Sequence, residues 1–219
     1  TPTISASSGV LNVAITANRT TASAAGGIAN IGSVSTNGGY FTATGSNIQF
    51  TSSSPISTGG GAITLTANNA SGSTGLYLSN TLNSGGGHIS LSSASASTDA
   101  IHIYSTLDAG AGYVTFNLPG GGTATDNSTG SKIVASGLEL LGNNATYSLG
   151  GAPQWIGWTG RSINAPTSAV HNSAQAGNPV LTVAGNLTGT SSVYLYTGTP
   201  NVAYVSGNGM NTDLAVGSV

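Results

Sequence analysis

The sequence contains no cysteine, only 3 Lys and Arg together, and only 5 Asp and Glu among 219 residues. Without cysteine, neither a disulfide nor a thiolate metal site can support the fold. So little positive charge removes the electrostatic footprint that binding to nucleic acid or to an anionic membrane surface requires. No apolar run approaches the roughly 20 residues that a spanning helix needs, so membrane insertion is not expected. The opening Thr1-Pro2-Thr3 has no charged n-region or apolar h-region, and the sequence reads as a mature fragment. Long stripes with helical period are also missing, so almost no helix is expected.

What is present is glycine, 34 residues of it, with Ser, Thr, Ala and Asn filling most of the remainder. Disorder goes with low hydrophobicity and high net charge, whereas this chain is 38% hydrophobic, has a mean hydropathy of +0.13 and carries a net charge of −2. It should fold, with stability drawn from packing and hydrogen bonding. Four segments align: Val34 to Ala43, Ile56 to Leu65, Leu82 to Leu91 and Leu107 to Phe116. Their starting points are nearly evenly spaced, which makes the repeat about 25 residues long. Each opens on an aliphatic residue, passes a small polar pair and reaches a turn. The turns are Asn37-Gly38-Gly39, Gly59-Gly60-Gly61, Gly85-Gly86-Gly87 and Gly110-Ala111-Gly112, where sharp bends and positive φ favour glycine. A strand follows, with apolar columns Phe41, Ile63, Ile89, Val114 and, two residues on, Ala43, Leu65, Leu91, Phe116. Period two sends both columns to one face. A second strand recurs as Ile48 with Phe50, Leu76 with Leu78, and Ile101 with Ile103.

A unit of about 25 residues cannot bury its apolar face alone, but stacking like on like closes a continuous core. The expected fold is therefore all-β, a right-handed parallel β-solenoid with coils of roughly 20–26 residues, its hand taken from the general rule for parallel connections. Dividing the length by the coil gives roughly nine turns and a rod about 40 Å long at the spacing of hydrogen-bonded strands. Residues 1–219 read as one solenoid segment, regular over 1–118 and less regular over 119–219, with a break near 152–166. Apolar pairs continue it at Leu138 with Leu140, Leu181 with Val183, Val193 with Leu195, and Leu214 with Val216. No amphipathic end cap is visible, from which the ends are expected to meet more protein, by end-to-end self-association or by continuation in a longer chain.

The runs Ile56-Ser-Thr-Gly-Gly-Gly-Ala-Ile-Thr-Leu-Thr-Ala67 and Leu82-Asn-Ser-Gly-Gly-Gly-His-Ile-Ser-Leu91 resemble the filamentous haemagglutinin-like family of secreted bacterial β-helical surface proteins. Gly137-Leu-Glu-Leu-Leu-Gly142 and Thr212-Asp-Leu-Ala-Val-Gly-Ser-Val219 are similar to it too, so that the resemblance covers about two thirds of the chain. The resemblance implies export to the extracellular space or bacterial cell surface, a long β-helical rod, and a role in adhesion or surface filaments. The family's N-terminal secretion signature is not visible in this sequence.

The titratable inventory is thin for catalysis. Asp99, Asp108, Asp126, Glu139 and Asp213 are scattered singly, whereas β-helices that cleave polysaccharides group carboxylates for acid–base work or calcium. Asp108 holds the repeat position of Ser57 and Asn83 and reads as a turn cap. No enzyme activity and no cofactor are expected, and the histidines lack the companion ligands of a metal site. Two ring columns are expected on the surface: Tyr40, His88 and Tyr113, aligned with Ala62, and Tyr77 with His102. They read either as cross-turn packing that stiffens the rod or as a ligand-binding stripe. The stretch Pro153 to Arg161 holds Trp155, Trp158 and Arg161, a candidate recognition patch for a glycan or a host surface, or else rings that fill an irregular coil. The leading expectation is a non-enzymatic extracellular rod that forms or contributes to a surface filament, with an adhesin segment as the alternative. An ice-binding face built on outward Thr-x-Thr pairs and a polysaccharide-degrading enzyme are minor alternatives.

Overall fold

The structure is a computed structural model that describes residues 3–17, 27–29, 31–51, 53–70, 74–126, 133–135, 137–142, 145–149, 155–156, 180–182, 192–196 and 202–206. It is an all-β parallel solenoid, with no helix among the described residues. Each turn of the chain visits three sheets in order. The first sheet holds Ile4–Ser5, Val34–Ser35, Ile56–Ser57, Leu82–Asn83, Leu107–Asp108, Ile133–Ala135 and Trp155–Ile156. The second holds Val13–Thr16, Phe41–Gly45, Ile63–Ala67, Ile89–Ser93, Tyr113–Leu118, Gly137–Gly142 and Val180–Thr182. The third holds Ile28–Ala29, Ile48–Phe50, Leu76–Leu78, Ile101–Ile103, Thr123–Asp126, Thr146–Leu149, Ser192–Tyr196 and Val202–Ser206.

The register is the one the repeat predicts. Val34, Ile56, Leu82 and Leu107 stand opposite one another, so the spacing of the four aligned segments is the length of the coil. The columns Phe41–Ile63–Ile89–Val114 and Ala43–Leu65–Leu91–Phe116 are paired rung by rung, and all eight side chains are fully buried. Between them Thr42, Thr64, Ser90 and Thr115 point outward and are half-buried. The third sheet alternates likewise, with Ile48, Phe50, Leu76, Leu78, Ile101 and Ile103 inside. Burying one such side chain contributes about 1.5–3 kcal/mol, against about 1–2 kcal/mol to order a residue's backbone. Every second residue must therefore reach the core, and the strands obey that.

Three features that the sequence left open or gave differently have physical causes. Each coil has three strands where the alternation indicated at least two. The aliphatic residue that opens each repeat forms a two-residue strand, too short for its single inward side chain to display a period. The coil length stays near the repeat from Val34 to Trp155, but two coils are longer: Ile4 stands opposite Val34, and Gly137 opposite the distant Val180. Only paired strands fix the register, so extra residues enter between sheets at little cost in closure entropy. Among the described residues the first and second sheets each contain seven strands, against the roughly nine turns expected. Finally, Leu138, Leu140, Leu181, Val193 and Leu195 all lie on strands that continue the parallel stack, but the last strand of the third sheet, Val202–Ser206, pairs antiparallel with Ser192–Tyr196. Val183, Leu214 and Val216 lie outside the described residues.

Candidate functional site

The corner between the first and second sheets is built from a four-residue pattern that repeats on each coil. Its first member is an inward hydroxyl: Thr36, Thr58 and Ser84 are buried and donate to the carbonyls of Gly39, Gly61 and Gly87, closing each turn from within. At the fourth coil Ala109 takes that place, and its turn closes through the backbone, Gly112 N–H donating to the Ala109 carbonyl at 2.8 Å. From outside, Asn83 Oδ1 accepts from Gly85 N–H at 2.9 Å, and Asp108 Oδ1 accepts from Gly110 N–H at 3.0 Å. Asp108 is thus the turn cap that its repeat position indicated.

The next two positions bend the chain. Asn37, Gly59, Gly85 and Gly110 take φ of 51°, 64°, 65° and 54°, and Gly38, Gly60 and Gly86 take 98°, 121° and 114°. The fourth member of the pattern, Gly39, Gly61, Gly87 and Gly112, is required for a different reason. A β-carbon on Gly61 would lie 2.0 Å from the Gly39 carbonyl oxygen, and one on Gly112 2.1 Å from that of Gly87. Coils touch here backbone to backbone, so all ten turn glycines singled out in the sequence serve the corner by curvature or by close approach.

Immediately after this corner comes the first ring column. Tyr40, Ala62, His88 and Tyr113 each precede a residue of the Phe41–Ile63–Ile89–Val114 column and so occupy successive rungs. Tyr40 is 45% and Tyr113 48% exposed, and His88 is exposed. The His88 and Tyr113 rings stack with centroids 5.6 Å apart and planes 26° from parallel. The stack is pinned, because Tyr113 N–H donates to His88 Nδ1 at 3.0 Å. At the start of the column, Tyr40 N–H donates in the same way to Asn12 Oδ1 at 3.1 Å. With Val10, Tyr40 and Tyr113 are the exposed large apolar side chains among the described residues, and all three belong to this one corner.

The second ring column differs from the expectation. Gln49, Tyr77, His102 and Thr125 are in register on the outer side of the third sheet, but His102 is only 8% exposed. It is not a surface ring. Pointing away from the core leaves a side chain in water only if its neighbours are short, and here they are not. Tyr104 stacks on the imidazole at 4.4 Å and 26°, and Tyr77 meets it edge-on at 5.6 Å. Asp99 Oδ1 lies 3.7 Å from His102 Nδ1. The carboxylate is delivered by a staircase of serines, Ser93 Oγ accepting from Ser95 N–H, Ser95 Oγ from Ser97 N–H and Ser97 Oγ from Asp99 N–H. Tyr104 escaped the sequence reading, although it lies two residues beyond His102 and thus on the same side of the strand, and Asp99 figures there only as one of the scattered acids.

Trp155 lies on the first sheet with its backbone opposite Val134, while Trp158 and Arg161 lie outside the described residues. The described residues include no group of three or more His, Cys, Asp or Glu able to hold a metal ion. What the surface offers chemically is ring faces, hydroxyls and exposed backbone amides, on a background of very little charge. Comparison with protein-family models, with curated proteins and with solved structures yields no match to this chain.

Proposed function

We propose that the chain is a length of a non-enzymatic extracellular rod, a β-solenoid that forms or contributes to a bacterial surface filament, and that its affinity is with the filamentous haemagglutinin-like proteins. The observation that carries this reading is the like-on-like stacking of the whole cross-section. Core columns and close-contact glycines recur from Val34 to Phe116 in unbroken register, and the inward hydroxyl recurs on three of those four coils. Such a unit is extendable: each coil presents to the next the surface it received, so repetition makes length and stiffness. From Val13 to Leu118 none of the described buried side chains is an acid, a lysine or an arginine, and the turn acid Asp108 is engaged in holding backbone. The function of such a rod is to project, to associate with like units, or to display its outer columns.

Negative-stain electron microscopy of the purified chain over a concentration series tests this. Elongated particles with one constant width, lengthening into filaments as concentration rises, are the expected result. Globular particles with no long axis at any concentration, or turnover of an acidic polysaccharide by the purified chain, would overturn the reading.

A further inference from the structure

The ring column beside the glycine corner has a gap in it. Tyr40 and His88 stand two rungs apart, with the methyl group of Ala62 between them as a floor, so the notch is about 9.6 Å from rung to rung. We propose that this notch binds a pyranose residue of a neutral glycan, held between the two rings. This goes beyond the rod reading and does not depend on whether filaments form.

Three observations carry it. The first is size. A flat aromatic guest held on both faces needs only about 7–8 Å, twice the van der Waals contact distance, and would rattle in the notch. A puckered sugar ring, thickened on both faces by its axial hydrogens, spans the larger gap and lays its C–H groups against the rings. The second is preorganisation. His88 is fixed from the far side by the Tyr113 ring and by the hydrogen bond from Tyr113 N–H to Nδ1, so little freedom is lost when a ligand settles on its other face. With Nδ1 accepting, the neutral imidazole carries its proton on Nε2, a donor for a sugar hydroxyl. The third is charge. Asn12, Tyr40, Ala62, His88 and Tyr113 include no acid, lysine or arginine, so nothing in the column selects an anionic or cationic ligand. The approach is also open, since nothing lies within 4 Å of where β-carbons on Gly60 and Gly86 would stand, two residues before Ala62 and His88.

The test is a nuclear magnetic resonance titration of the full chain with linear neutral gluco-, manno- and galacto-oligosaccharides, from disaccharide to hexasaccharide, with a heparin fragment as the charged control. At least one neutral series should bind. Tyr40→Ala and His88→Ala should each weaken it roughly tenfold, the effect of losing one ring contact. Ala62→Tyr is the decisive variant. Tyr occupies this column naturally on two rungs, so the fold, followed by circular dichroism and melting temperature, should be kept while the filled notch loses binding. The proposal is overturned by absence of binding in all three neutral series, by binding of heparin alone, or by an Ala62→Tyr chain that binds as before. It is overturned equally if the variants alter the sedimentation of the chain and not glycan binding, since the notch would then be a contact between copies.

Discussion

The carbonyl oxygen of Gly39 occupies the place where a β-carbon on Gly61 would be, 2.0 Å from its ideal position. The same contact recurs between Gly61 and Gly87 at 2.4 Å and between Gly87 and Gly112 at 2.1 Å, so it belongs to the stacking itself. Because the obstruction is backbone, no side-chain rotation can relieve it. Gly61→Ala is expected to destabilise the solenoid by about 2–4 kcal/mol, through separation of neighbouring coils at a point where the strands on either side hold them together. Urea unfolding followed by circular dichroism measures this, and a cost below about 1 kcal/mol would show that the corner gives way easily.

Two residues earlier the opposite outcome is expected. Gly59 has φ of 64° and meets only ordinary contacts, the nearest being Gly38 N at 3.4 Å, while its counterpart one coil before is Asn37 at 51°. Asparagine tolerates this region of backbone space and restricts the unfolded chain more than glycine does. Gly59→Asn should therefore change stability by less than about 1 kcal/mol. At Gly60, whose φ of 121° lies outside the left-handed helical region, the same replacement should cost about 1–3 kcal/mol. Equal effects at the two positions would refute the division of labour between adjacent turn glycines.

These turns also mark what sequence could and could not convey. The register from Val34 to Phe116 was legible because each column holds the same kind of residue at each repeat, and burial on one face permits no slip of one residue. The first sheet was not legible as a sheet of its own, because a strand contributing a single inward residue has no alternation to read. Within the candidate site, Tyr40, His88 and Tyr113 were legible as an outer column, since their place follows from the residue after them. The environment of His102 was not. Whether an outward ring is wet depends on the lengths of side chains on the same coil and on the coil before, here Tyr104 and Tyr77. The Asp99 contact depends on a loop whose path is set by successive serine hydroxyls, a local geometry that composition alone does not announce.

The covered position of His102 implies energetic coupling to its stacking partner. With centroids 4.4 Å apart and planes 26° from parallel, His102 and Tyr104 should show a coupling of about 0.5–1.5 kcal/mol in a double-mutant cycle of His102→Ala and Tyr104→Ala. His88 and Tyr113, at 5.6 Å and largely in water, should show less, because solvent competes for the ring faces. Additive losses at His102 and Tyr104 would mean that the third-sheet rings merely sit side by side.

The core offers the sharpest test of stacking by repetition. On the second sheet the strand Phe41–Gly45 pairs a large residue with a small one, Phe41 and Ala43, where the next coil has Ile63 and Leu65. All four are fully buried, so the two strands fill similar space by different divisions of volume. Ala43→Leu alone adds bulk beside an unchanged phenylalanine and should destabilise by about 1–3 kcal/mol. Adding Phe41→Ile makes this strand carry the inward pair of its neighbour, and most of the loss should return, bringing the double variant within about 1 kcal/mol of the original. Recovery seen by urea unfolding would show that a coil's inward residues act as one interchangeable layer. If the two losses simply added, each rung would be fitted to its own neighbours, and the core could not be extended by copying one coil onto the next.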